Sequence, residues 1–197
     1  MATLTSKLES VNSMLGHIGE SPVNSISTAS ALPVSAATAI SVLDETSREV
    51  QSEGWHFNTT HKYTLTPGSD GTITLPDNTL HVDALDKLVD VVQRGLSLYD
   101  RKNNTNIFTK SIDVTIMFLL DFTELHEHAR RYITLRASRI FQGRMVGSRE
   151  LEALIARDEY LAKSRLEEID GHSSDRNIFD NFDAASRIGI NRNYDIQ

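Results

Sequence analysis

Apolar residues recur in two rhythms along this chain, first at helical spacing, then in alternation, then at helical spacing again. Leu4, Leu8, Val11, Leu15 and Ile18 fall on one stripe, which predicts a first helix capped by Thr3 or Thr5. Gly19 stands where a glycine stop belongs, and Pro22 bars continuation. A connector rich in Ser, Ala and Thr leads to a second helix, starting at Pro33 or Ser35 and reaching Glu53. Its inward face is Ala36, Ala39 or Ile40, Leu43 and Val50. Its outward face is Asp44, Glu45, Arg48, Glu49 and Glu53. Gly54 ends it.

At Trp55 the period falls to two. Trp55 and Phe57, then Tyr63 and Leu65, then Ile73 and Leu75 alternate with polar neighbours, and Pro67-Gly68-Ser69-Asp70-Gly71 is a strong turn signal. This predicts a hairpin across that turn. Leu85, Leu88 and Val92 fit a helix, whereas Leu88-Val89-Asp90-Val91-Val92 fits a strand, and the pattern leaves both open. Leu96 to Asp100 reads as a strand ending in a turn, with Ile107-Phe108 beginning the return. Ile112, Val114, Ile116 and Phe118 alternate strictly.

The helical period returns at Asp121 or Thr123, either a natural cap, with Leu125, Ala129, Tyr132 or Ile133, Arg136 and Ile140 on one face. That helix ends near Gly143. Ser148 caps a fourth, whose stripe is Leu151, Leu154 or Ile155, Leu161 and Leu166, with Gly171 as its stop. The remainder is polar and carries isolated apolar anchors: Ile178, Phe179, Phe182, Ile188, Ile190 and Tyr194. Such a segment builds no core of its own; it folds back on the parent domain or docks on a partner. The expected fold class is α+β: four helices with an antiparallel β region between the second and third. The expected divisions are 1–54, 55–120, 121–171 and a tail at 172–197.

Composition narrows the function classes. The net charge of −7 argues against a protein whose task is to grip nucleic acid phosphates. With no cysteine, neither a disulfide framework nor a thiolate metal site is possible. No apolar run approaches the roughly 20 residues of a membrane-spanning helix. The N-terminus lacks a basic segment followed by an apolar one, so the expectation is a soluble protein made in the cytoplasm, with no membrane partner.

No motif for catalysis or for a cofactor stands out. His126 and His128 flank Glu127, but zinc-binding histidines on a helix need i, i+4 spacing to share a face. At i, i+2 they diverge by about 200°, and surface polar residues are the plainer reading. Glu20 with Asp44, or Asp83 with Asp86, would be carboxylate pairs for a hydrolase, yet spacing establishes no pocket. The one basic concentration is Arg130, Arg131, Arg136, Arg139, Arg144 and Arg149. It reads either as charge placement near a helix C-terminus with pairing to the acidic fourth helix, or as a contact patch for a neighbouring subunit.

The ordered string Val11-Asn12-x-Met14-Leu15-x-x-Ile18-Gly19-Glu20-x-Pro22-Val23 is followed by Val50-Gln51-x-x-Gly54-Trp55-x-Phe57-Asn58. Together they resemble the tail tubular protein A family of T7-like short-tailed phages. Leu98-Tyr99-Asp100-Arg101 with Phe108, Arg131-Tyr132-Ile133, and Ala137-Ser138-Arg139-x-Phe141 are similar to later parts of that family. The resemblance implies a non-enzymatic head-to-tail adaptor in the virion tail. Twelve copies would form a ring below the portal protein, carry the nozzle of tail tubular protein B, and lie near the tail fibre. DNA would pass through without specific binding. It implies a four-helix bundle with an inserted β domain and no cofactor. The anchors Ile178, Phe179, Phe182, Ile188 and Tyr194 would dock on the portal, and Arg130, Arg131, Arg136, Arg139 and Arg144 would meet a neighbouring subunit. The alternative is a tail-associated hydrolase acting on host polysaccharide or peptidoglycan, which no motif here supports.

Overall fold

The computed structural model describes residues 4–27 and 32–173. The first helix, α1 (Lys7–His17), begins at Ser6 rather than at Thr3 or Thr5. Ser6 and Glu9 form a reciprocal capping box: the Glu9 amide donates to Ser6 Oγ, and the Ser6 amide donates to the Glu9 carboxylate. Thr5 is occupied elsewhere, which explains the difference; its amide donates to Glu127 at 2.8 Å. Leu4 consequently lies outside the helix and is exposed, while Met14 joins Val11 and Leu15 on the buried face. Gly19 has a φ of +77°, the left-handed turn that ends α1.

Helix α2 (Val34–Gln51) follows Pro33 and buries Ala36, Ala39, Val42, Leu43 and Val50. A single 3-10 turn at His56–Asn58 then hands the chain to β1 (Thr59–Leu65). The other strands are β2 (Thr79–Ala84), β3 (Val91–Arg94), β4 (Ser97–Asp100) and β5 (Ile112–Phe118). All pairing is antiparallel, in a three-stranded sheet of order β1-β5-β2 and a two-stranded β3-β4 ribbon.

The expected hairpin across residues 67–71 does not form. β1 instead pairs with β5, from Thr59 opposite Met117 to Leu65 opposite Ile112. The Pro-Gly turn is real but local: Gly71 N donates to Gly68 O, and residues 72–75 run beside Ile107 and Ser97 through isolated bridges. Alternation marks which residues face a core but says nothing of which strand is the neighbour. The ambiguous stretch resolves as strand at 91–94, paired with β4 through the turn at Gly95.

Helix α3 (Glu127–Met145) starts later than Asp121 or Thr123, with His126 as its cap. Asp121 and Glu124 close a separate turn before it: Glu124 N donates to Asp121 O, and Asp121 N to the Glu124 carboxylate. Helix α4 (Arg149–Ser173) buries Ile155, Glu159, Ala162 and Leu166. Ile155 rather than Leu154 faces the core, Leu161 is exposed although the expected stripe included it, its neighbour Ala162 being the buried residue, and Gly171 lies inside the helix instead of stopping it.

Buried side chains fall into two groups. One joins the four helices with Trp55, Phe122 and Leu125; Tyr132, Phe141, Met14, Leu15, Leu43, Ile133 and Leu166 are its largest enclosed members. The other lies among the strands, around Leu65, Ile73, Leu75, Val82, Leu98, Val114 and Ile116. At roughly 25 cal/mol per Å² of apolar area, burial of such rings and aliphatic chains is the main force holding each group. No described helix is long and apolar enough to cross a membrane.

Candidate functional site: the helix–strand junction and the arginine face

Trp55, Gln51, Asn58 and the end of β5 meet where helices hand over to strands. The Gln51 amide acts as a surrogate strand partner: Nε2 donates to Leu120 O at 3.0 Å, and Oε1 accepts from Leu120 N at 2.8 Å. Asn58 Nδ2 donates to Gln51 O at 2.8 Å and to Phe118 O at 3.0 Å, while its Oδ1 accepts from Trp55 N at 3.0 Å. Trp55 Nε1 donates to Val50 O at 2.7 Å, so the ring is buried with its one polar atom satisfied. Buried main-chain groups on both sides of the handover are thereby paired.

Gly54 makes the turn possible. Its φ is +78°, and a Cβ there would lie 2.7 Å from Met117 Cε. The junction therefore needs a left-handed residue and a bare backbone face at one position. Next to it lies a cleft of about 350 Å³ lined by residues that include Lys7, Asp44, Arg48, Asp121 and Phe122. Its charges are mixed, and Lys7 Nζ bridges Asp44 at 2.7 Å.

A second set of contacts ties the chain's start to α3. Thr5 N and Oγ1 both donate to the Glu127 carboxylate, and Arg130 donates to the carbonyls of Thr5, Leu125 and Thr123. Partial burial pushes the Glu127 carboxyl up. The Thr5 hydrogen bonds and the nearby Arg130 and Arg131 charges outweigh it and hold the group below its ordinary value.

The five arginines singled out from the sequence do not form one surface patch. Arg130 is 5% exposed and bonded inward. Arg136 pairs with Glu49 of α2 at 2.6 Å and with Glu159 of α4 at 3.5 Å, and Arg139 pairs with Glu159 at 2.5 Å. Arg144 reaches Glu45 at 2.9 Å. These bonds hold the Arg139 and Arg144 guanidinium pKa values above their ordinary position. Arg131 is exposed. The three-helix network of Arg136, Arg139, Glu49 and Glu159 accounts for a buried glutamate on α4, since a carboxylate in that position needs charged partners.

Of the imagined acid pairs, Glu20 accepts from the Ser35 hydroxyl, Asp44 is bridged to Lys7, and Asp83 and Asp86 are exposed. His126 and His128 are not arranged with other ligands: among the described residues no group of three or more His, Asp or Glu is placed to hold a metal ion. The anchors Ile178, Phe179, Phe182, Ile188 and Tyr194 lie outside the described residues.

Sequence reasoning missed Gln51 and Asn58 as the clamp, because their partners lie 69 and 60 residues away. The signal was present in another form. The string Val50-Gln51-x-x-Gly54-Trp55-x-Phe57-Asn58 contains every side chain of the clamp. The earlier string is structural too: Asn12 Oδ1 accepts from Val23 N and its Nδ2 donates to Val23 O, pinning the loop after α1.

The chain matches the family model described as tail tubular protein over residues 8–176. It is 34% identical over 128 residues to tail tubular protein A of Klebsiella phage KP34, an alignment covering 64% of this chain and 66% of that protein, just under two thirds of its length. The match runs through both helix pairs and the whole strand region, and on that extent the chain belongs to the tail tubular protein family.

Proposed function

We propose that this protein is a structural subunit of a short-tailed phage tail: an adaptor that assembles as a ring, twelve copies round, between the portal protein and the nozzle formed by tail tubular protein B. The observation that carries the reading is the tail tubular family match over residues 8–176. In this reading the fold is a four-helix bundle with a β domain inserted between α2 and α3, divided at 1–54, 55–120, 121–171 and 172–197. Two separate buried groups, one helical and one among the strands, support that division. The clamp at Gln51, Trp55 and Asn58 gives the two parts a defined relation, as a subunit with neighbours on two sides requires.

The role is one of assembly and carries no catalysis. Genome DNA passes through the ring without specific binding, which suits a net charge of −7 on every copy. The tail anchors Ile178, Phe179, Phe182, Ile188 and Tyr194 dock on the portal, with tail fibres attached nearby. For the arginine face the structure narrows the proposal. Arg130, Arg136, Arg139 and Arg144 are committed to partners within the chain, so the exposed Arg131 is the residue left to meet a neighbouring subunit.

Light-scattering mass of the purified chain mixed with its portal tests this. A complex with ring stoichiometry is expected, and it should be weakened by the change Arg131→Glu. Two separately eluting proteins at every concentration tried would remove the adaptor reading.

A further inference from the structure

We propose that His126 is a proton-operated latch: its neutral ring holds the start of α3 against the Trp55–Phe57 stack, and protonation releases that contact. Three observations meet at this side chain. Its Nδ1 accepts a hydrogen bond from the Ala129 amide at 3.4 Å, so it caps α3 only while that nitrogen is bare and the ring proton sits on Nε2. The same ring meets Phe57 edge-to-face at 4.8 Å and 88°. Phe57 is in turn stacked on Trp55 at 6.4 Å, with their planes 9° apart. One imidazole thus connects a helix start to the aromatic pair at the helix–strand junction.

A proton on Nδ1 acts on each contact. It replaces an acceptor with a donor facing the Ala129 N–H. It also puts positive charge at the positive end of the α3 dipole, where anions and neutral acceptors are favoured.

The surrounding charges decide the direction. On α3, the His128 ring is 6.1 Å away and opposes a second positive charge. Glu127, next in the chain, is occupied by Thr5, and Arg130 by three carbonyls. From α4, Asp170 favours the protonated ring, but its Oδ1 accepts from the His56 amide at 2.8 Å in the 3-10 turn. Burial, followed by His128, outweighs Asp170 and lowers the His126 pKa below the ordinary 6.5. A histidine depressed on folding gives stability above its unfolded value, and that stability is lost as pH falls through the folded value. The latch is therefore closed at neutral pH and opens on mild acidification.

The chain's single tryptophan is Trp55, so its emission reports the latch in the full-length protein. On titration from about pH 8 to about pH 5, the range in which histidine changes charge, the wild type should show an emission transition centred below 6.5. His126→Asn, which still caps a helix but cannot titrate, should abolish it. His56→Asn should leave it in place, and His128→Asn should move it upward. A flat wild-type titration, or an unchanged transition in His126→Asn, overturns the proposal. Should His126→Asn fail to fold, wild-type NMR decides: Ala129 amide and Phe57 ring signals that shift together with the His126 ring proton support the latch, and signals that stay constant through its protonation overturn it. The experiment uses the isolated chain, so its outcome is separate from that of the ring reading.

Discussion

At the scale of single residues, Gly54 and Trp55 set how the helical and strand parts join. Gly54→Ala asks a residue with a Cβ to hold φ at +78° and places that carbon 2.7 Å from Met117 Cε. A left-handed non-glycine position alone costs of order 1–3 kcal/mol. Met117 is a flexible neighbour that moves aside, so a loss within about that range is expected by denaturant unfolding. No measurable loss would show that the turn tolerates a side chain. Trp55→Ala removes a ring that is 7% exposed and packed among the helical core residues. Truncation of a buried Trp typically costs about 3–5 kcal/mol. A Trp55→Ala chain of wild-type stability that still assembles would show that the junction is not where the fold is held.

At the scale of elements, two ties connect distant parts of the chain. Gln51→Leu keeps the volume near α2's end but leaves Leu120 N–H and C=O without their partner. Stranding such groups costs roughly 1–3 kcal/mol, and faster amide exchange at Leu120 should accompany the loss; unchanged exchange there would separate Gln51 from the tie. The second tie is Glu127 with Thr5. Its carboxyl is held below the ordinary 4.5, so it contributes stability above that value and loses it as pH falls through the lower folded value. The melting difference between wild type and Glu127→Gln should therefore shrink as pH drops below about 4.5. A difference constant across that window would contradict the tie.

These elements also show what could be read before the structure. Periodicity placed α1, α2 and β5 well, because Val11, Leu15, Leu43, Val50, Val114 and Ile116 all face a core. It misplaced the start of α3, because Asp121 and Glu124 look like a cap and first turn but close a turn of their own. It left Leu154 and Ile155 unresolved, since neighbours on a helix differ by about 100° and either begins a plausible stripe. The β1–β5 pairing and the Gln51 clamp were invisible because both join residues far apart in sequence, where local pattern carries no information. The arginines were visible as a cluster, and pairing to the fourth helix, which Glu159 supplies, was one of the two readings; the part taken by Glu49 of α2 was not visible.

At the scale of the whole molecule, the helical and strand groups have separate cores joined by the clamp, and the family match runs through both. In the proposed ring, a net charge of −7 on every copy would disfavour adhesion of passing DNA. The adaptor ring is the central claim, and negative-stain imaging of the protein mixed with its portal tests it most directly. The account predicts a closed ring of this chain, twelvefold in top view and seated on one end of the portal. Bare portals beside single copies of the chain would contradict it.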